Sequence, residues 1–451
     1  MKKWFTLDRK LSTEVLHLAL PVVAGLASIT AIGLTDTIMV GRLGATALAA
    51  TGQAVMVFWT VNWVLRSVEL ATQAISARRF GEGQLPACGE VLHHALVFSL
   101  TLSFFSMIVL YSMAPRLTRW ISANEEVASL ATGYIRVLFA TLWLSGMFFA
   151  LRGFFSGIGR TRVFLMSAGI LFTANLCGNY MFIYGHWGAP AMGVSGAAVG
   201  SALSMICGFS FLILYTFWHR KKTLAAYELF SGAKWRWELV GEIARLAWPN
   251  MFRGVMVIGG LLVFYAMVDR VGVAQAAVVN LVINIQSVSF MPGYGFGIAA
   301  ATMIGHSLGA GNTERAERAG YEAMKLGIIF MGSVGILFLV APEWVVRVFT
   351  DDEEVMKYAI GPLRLVGIVQ IVDAAGMVLS TALEGAGQTR WVMMMEILVN
   401  WGVFLPLTYL LTFTLNMRNY GPWIAWGVYI TLFGVISFIK FNRGSWKHVR
   451  L

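Results

Sequence analysis

The chain has 451 residues, 58% hydrophobic and only 13% charged, with a formal net charge of +11 and a mean hydropathy of +0.70. A soluble domain carries about a quarter charged residues, so a water-soluble globular protein is excluded. The apolar residues fall in long blocks rather than at helical or strand spacing, and about 20 such residues cross a bilayer as a helix. The composition predicts an all-α integral membrane protein.

Twelve blocks reach that length, roughly 12–40, 46–75, 91–114, 127–155, 163–185, 193–218, 243–268, 274–304, 320–342, 355–383, 391–415 and 421–440. Met1 to Lys10 leads straight into the first block, so no cleavable signal is expected. The longest polar stretch, with His219-Arg220-Lys221-Lys222, Lys234 and Arg236, divides the chain. The expected organisation is an N-lobe over 1–218, a cytoplasmic linker over 219–242, and a C-lobe with a short cytoplasmic C-terminus over 243–451.

The sequence is written twice. An ungapped offset of 228 residues superposes Leu18-Ala19-x-Pro21 on Leu246-Ala247-x-Pro249, Gly81-x-Gly83 on Gly309-x-Gly311, and Arg136 on Arg364. It also carries Gly157-x-Gly159-x-Thr161-Arg162 onto Gly385-x-Gly387-x-Thr389-Arg390. Six spans per copy give both copies the same orientation. They form two six-helix lobes related by a pseudo-two-fold axis along the membrane normal, a plan common among transporters.

The basic residues follow the predicted loops. With the N-terminus cytoplasmic, 23 Lys and Arg, Arg152 among them, fall in inner segments and 7 in outer ones. By the positive-inside rule this places both termini in the cytoplasm of a cell whose inner membrane the chain spans. The charge is therefore a topology signal, and no nucleic-acid partner is read from it.

Ionisable and amide groups at membrane depth need an account, because the bilayer penalises them. Asp36 lies near the outer end of the first span, in Gly33-Leu34-Thr35-Asp36-Thr37. Removing a carboxylate from water favours its protonated form, so this is a candidate proton or cation site. The alternative is a helix-terminal Asp that reaches water beside Gly41-Arg42. Pro21, about four turns earlier, is a candidate bend. Asn175 and Asn179 are four apart and share a face of the fifth span, and Ser201 is in the sixth. Ordinary interhelical hydrogen bonding is the competing reading for the two asparagines, and a bond to its own helix backbone is the competing reading for Ser201.

In the tenth span, Asp373 with Gln370 is either a structural ion pair or an ion or substrate site, with Arg364 and Arg253 the nearest candidate counter-ions in sequence. Arg66 and Glu69, three apart, are read as a structural pair. Asp351-Asp352-Glu353-Glu354 is read as a helix N-terminal cap rather than a metal cluster. Cys88, Cys177 and Cys207 have no metal-like spacing. No metalloprotease, serine-hydrolase or phosphate-loop motif occurs, so neither a metal nor an organic cofactor is expected.

With these residues in view, the chain resembles the multidrug and toxic compound extrusion (MATE) family. The resemblance rests on Asp36-Thr37-x3-Gly41-Arg42-Leu43-Gly44, Gly309-Ala310-Gly311-Asn312-x2-Arg315-Ala316 and the doubled GxGxT turns at Gly157 and Gly385, and it runs over essentially the whole length. It implies a monomeric secondary antiporter with a V-shaped central cleft that exports amphiphilic organic cations, a route to antibiotic resistance, in exchange for protons or sodium. The DinF-type, proton-coupled branch is the most similar. There the resemblance assigns Asp36 as proton-coupling group and Asn175, Asn179 and Ser201 as its polar network. The pattern departs at Asn179, where that branch often has a second carboxylate. The sodium-coupled NorM-type branch carries a glutamate after a seventh-span proline, whereas Asn250 to Ile258 contains no acid. The missing glutamate makes sodium the less favoured coupling ion, and Asp373, which matches that branch's tenth-span aspartate, keeps it as the alternative.

Two other classes of membrane protein fit the residues less well. A lipid-linked saccharide flippase of the same superfamily lines its cleft with several basic residues, but only four lie at membrane depth here. An intramembrane enzyme would need an acid pair or a histidine with a partner, and only His93-His94 beside Glu90 comes near.

Overall fold

The computed structural model describes residues 7–122, 124–230 and 235–449. Lys2, Lys3, Lys234 and Arg450, counted above as inner charges, lie outside the described residues.

In the first copy the helices are α1 (Arg9–Gly41), α2 (Ala45–Gly81), α3 (Leu85–Ile121), α4 (Glu125–Ala140), α5 (Leu142–Gly157), α6 (Arg162–Tyr184) and α7 (Val194–His219). In the second they are α8 (Trp237–Asp269), α9 (Val273–Gly309), α10 (Thr313–Val340), the short α11 (Pro342–Arg347), α12 (Glu353–Gly385), α13 (Thr389–Val399), α14 (Leu405–Tyr409) and α15 (Gly421–Asn442). Two π-helical turns, Asn400–Phe404 and Leu410–Thr414, flank α14 and make Thr389–Thr414 a single span. Among the described residues eleven helices are long and apolar enough to cross a membrane, and the pair α4–α5 makes twelve.

The fourth span, expected as one helix, is broken at Thr141 and bent by 47°. At the break the Thr141 hydroxyl donates to the carbonyl of Leu138 at 2.8 Å. The second copy has Val369 at the equivalent position, and α12 runs through it unbroken. Several helices also start or end beyond their apolar blocks. Asn312 and Asp352 cap α10 and α12 with side-chain oxygens, so the reading of Asp351 to Glu354 as a cap is correct.

The repeated glycines have a geometric cause. Gly83, Gly159, Gly311 and Gly387 take φ of +75°, +75°, +72° and +90°, a region open to glycine and strained for other residues. Gly157 and Gly385 serve a different need, close approach between helices. A Cβ on Gly157 would lie 2.8 Å from the carbonyl of Gln73 in α2, and one on Gly385 would lie 2.6 Å from Ala301 Cα in α9.

The chain forms two compact units, one of Ala24–Met251 and one of the described residues up to Val23 with those from Phe252 onward. The division thus falls inside α1 and α8 rather than in the 219–242 linker. Each boundary comes two residues after a proline, Pro21 or Pro249. α1 stays helical through Pro21 from Arg9 to Gly41.

In the second unit, the start of α1 is anchored by Ser12 and the Asp8 amide on Glu322, at 2.6 and 2.9 Å, and by Glu14 on Arg315. Leu11, Val15 and Ala19 join its core. In the first unit, the linker packs rather than hangs free. Leu224, Tyr227 and Leu229 are buried in the core, and Arg160 donates to Thr223.

Overpacking at a glycine crossing costs about 1–3 kcal/mol. Gly157→Val and Gly385→Val are each expected to lower the detergent-solubilised melting temperature by several degrees. Unchanged melting for both would show that these crossings are not tight.

Candidate functional site

α6 and α7 form the frame of the first-unit site. They touch backbone to backbone where a Cβ on Gly178 would lie 2.8 Å from Gly200 Cα, and the Asn179 amide oxygen rests against Gly200. Small residues permit this approach, and it holds the α6 face bearing Asn175 and Asn179. Both asparagines are fully buried. Asn179 Nδ2 donates to Asp36 Oδ1 of α1 and, at 3.3 Å, to Asn175 Oδ1. Asn175 Nδ2 donates to Ser201 Oγ of α7 at 3.2 Å. The hydroxyl of Tyr134, buried in α4, reaches Ser201.

The structure therefore brings all four sequence-singled residues of the first copy together and adds Tyr134. Asp36 is half-buried, and its partners among the described residues are amides, with no ion pair. A neutral donor satisfies the lone pairs of a carboxylate without matching its charge. A group in that position can bind a proton or a cation and release it again. Tyr134 was missed because an isolated aromatic in a span carries no polar pattern. Its one signal is the repeat, which sets Tyr134 against Pro362.

The second unit fills the equivalent place with apolar side chains. Phe264, at the position of Asp36, is fully buried, with ring centroids 5.0 Å from Phe404 and 5.8 Å from Trp426. Its polar residues lie elsewhere. Asp373 and Gln370 of α12 are buried against α9, where Gln286 donates to Asp373 at 3.4 Å and Ser289 to Gln370 at 3.0 Å. The expected counter-ion Arg253 is not on Asp373. It binds Glu384 and Glu396 instead, at 2.9 and 3.0 Å, because residues far apart in sequence meet across α8, α12 and α13.

Other charged groups have structural partners. Arg66 Nε lies 3.5 Å from Glu69, as its spacing predicts, but Arg152 is the shorter partner at 3.1 Å. Arg152 was counted above as an inner-surface charge. It is instead 4% exposed and stacked over Phe164 at 3.8 Å. His94 is buried with Nδ1 on the Glu90 carbonyl and Nε2 accepting the Arg236 amide, both ring nitrogens thus serving to seat the linker.

Comparison with known proteins identifies the family. The MatE family model matches residues 21–181 and 249–410, two stretches whose starts are the repeat-equivalent prolines. The chain is 27% identical over 444 residues to the probable multidrug resistance protein NorM of Thermotoga maritima, covering 96% of this chain and 93% of that one. It is 28% identical to the multidrug resistance protein PmpM of Pseudomonas aeruginosa, covering 97% and 92%. A crystal structure of MATE in the straight conformation shares the fold with a TM-score of 0.89, 22% identity and 96% coverage of each chain. The chain belongs to the MatE family, whose members are transporters and not enzymes.

Proposed function

We propose that the protein is a secondary active antiporter of the DinF type that exports amphiphilic organic cations across the bacterial inner membrane in exchange for protons. The observation that carries this reading is the Asp36 carboxylate, bound by the Asn179 amide and by no basic side chain among the described residues. The names of the relatives, multidrug resistance proteins, support an organic, drug-like cargo. The excess of Lys and Arg in the predicted inner segments supports cytoplasmic termini.

The proposed cycle follows from competition at a single carboxylate. Ionised Asp36 attracts an organic cation. Protonation from the outer face removes that attraction and the cation leaves, and loss of the proton to the cytoplasm resets the site. α1 is suited to couple this exchange to a change of access. It carries both Asp36 and Pro21 on one continuous helix. One-for-one exchange of a proton for a monovalent organic cation moves no net charge across the membrane, so the pH gradient drives it, each unit of pH difference supplying about 1.4 kcal/mol, roughly a tenfold accumulation.

A sodium-coupled reading has one observation in its favour. Asp373 is buried with an amide partner and no basic side chain paired to it among the described residues, beside the oxygens of Gln370 and Ser289. Oxygen ligands of this kind suit a hard cation.

Asp36→Asn is expected to reduce proton-driven efflux in everted vesicles to the level of vesicles lacking the protein, while reaching the membrane in normal amount. Efflux at the wild-type rate by that variant would falsify the role of Asp36. A sodium gradient imposed at clamped pH is expected to drive no efflux. Efflux under that condition, abolished by Asp373→Asn, would move the coupling ion to sodium and the site to α12.

A further inference from the structure

Arg136 and Arg364 occupy equivalent places in the two copies, and the exchange proposed for Asp36 uses neither. Arg364 of α12 is exposed, and among the described residues it has no ion pair, hydrogen bond or ring contact. Its depth follows from a neighbour. A Cβ on Gly361, one turn earlier, would lie 2.6 Å from the ring of Tyr420, the half-exposed residue that precedes α15. Tyrosines in such places mark the membrane–water interface, so Arg364 lies about 5 Å inside it. The acids of α12 do not serve it. Glu354 is ten residues toward the helix start, about 15 Å away, with Lys357 between them. Asp373, nine residues the other way, is buried against α9.

A second observation starts at the next residue. Leu365, Ile368 and Val369 of α12 face Trp423, Ile424 and Gly427 of α15 across a groove of about 300 Å³ that runs from beside Arg364 toward the membrane centre. Its walls are apolar, and its one hydroxyl, on Thr431, is spent on the Gly427 carbonyl at 2.7 Å. Gly427 leaves the groove open, since a Cβ there would meet only Val369, at 3.7 Å. The first copy lacks such walls. Its equivalents of Ile368, Trp423 and Ile424 are Ala140, Ser195 and Gly196, and its Arg136 lies over the ring of Tyr111 at 5.5 Å. A free guanidinium at the head of an apolar groove therefore belongs to the second copy alone.

We propose that the α12–α15 groove, with Arg364 at its head, binds one anionic phospholipid, the phosphate on the guanidinium and an acyl chain along the groove. Charge selects this occupant. A guanidinium pairs with a phosphate through two parallel N–H donors, and basic pockets between membrane helices hold anionic head groups in this way. An organic cation is repelled by Arg364. An apolar span of a second copy would fill the groove and leave the guanidinium unmatched, at a cost that the bilayer imposes on any lone charge. The phospholipid alone carries an anion and an apolar chain in one molecule at this depth. The site stands apart from the antiport reading and needs no transported compound.

Native mass spectrometry of the full-length protein, delipidated and titrated with phosphatidylglycerol or with phosphatidylethanolamine, tests this. Wild type is expected to bind its first phosphatidylglycerol about fivefold more tightly than its first phosphatidylethanolamine, the worth of one charge near a membrane surface. Arg364→Gln is expected to bring the two lipids to equal affinity, and Arg136→Gln to keep the preference. Gly427→Leu, which fills the groove, is expected to weaken both lipids. No preference in wild type, the same preference in Arg364→Gln, or unweakened binding by Gly427→Leu overturns the proposal. A wild-type dimer that Gly427→Leu disperses gives the groove to a second copy and overturns it too. Should Gly427→Leu fail to fold, Arg364→Gln, a change at an exposed position, decides the case alone.

Discussion

A charge at membrane depth must be matched or given up, because the hydrocarbon around it supplies no compensating solvation. Most of the buried charges in this protein are matched. Glu69 sits between Arg66 and Arg152, and Glu322 binds Lys325 together with donors from the start of α1. Asp36 is the departure in the first unit, with amide partners only. In the proposed antiport its negative charge is met by a proton or a cation that arrives and leaves. The Asn179–Asn175–Ser201 chain fixes the geometry of the carboxylate without neutralising it.

The duplication supplies the scaffold on which this imbalance is held. Both copies use left-handed glycines at the same turns and glycine contacts at the same crossings. The chemistry is not duplicated. Where the first copy has Asp36, the second has Phe264 packed among Phe404 and Trp426. Where the second has Arg253, Glu384 and Glu396, the first has Gly25, Ser156 and Ala168. Two copies of one fold have thus kept their packing and diverged in their buried charge.

The spans were legible because a helix that crosses a bilayer writes its length into the composition. The break at Thr141 was not, because the apolar block runs through it without a proline or glycine to mark it. Asn175 and Asn179 could be placed on one face from their spacing, and Asp36 from the cost of a charge among apolar residues. Tyr134 and Gln286 could not be found this way, since their importance lies in partners brought from distant helices. Arg253 shows the limit most clearly. Sequence proximity offered it to Asp373, and the packing of α8 against α12 and α13 gave it to two glutamates. The linker read as a polar spacer, yet its few apolar residues bury into the first unit.

The central claim is that a proton and an organic cation compete for the Asp36 carboxylate. It is tested most directly by counting protons released when purified protein binds an organic cation. Calorimetric titration in two buffers of different ionisation enthalpy gives that count. The account predicts proton release by the wild type and a smaller release, by the contribution of Asp36, from Asp36→Asn. Identical proton release by the two proteins, with the cation bound equally well, would contradict it.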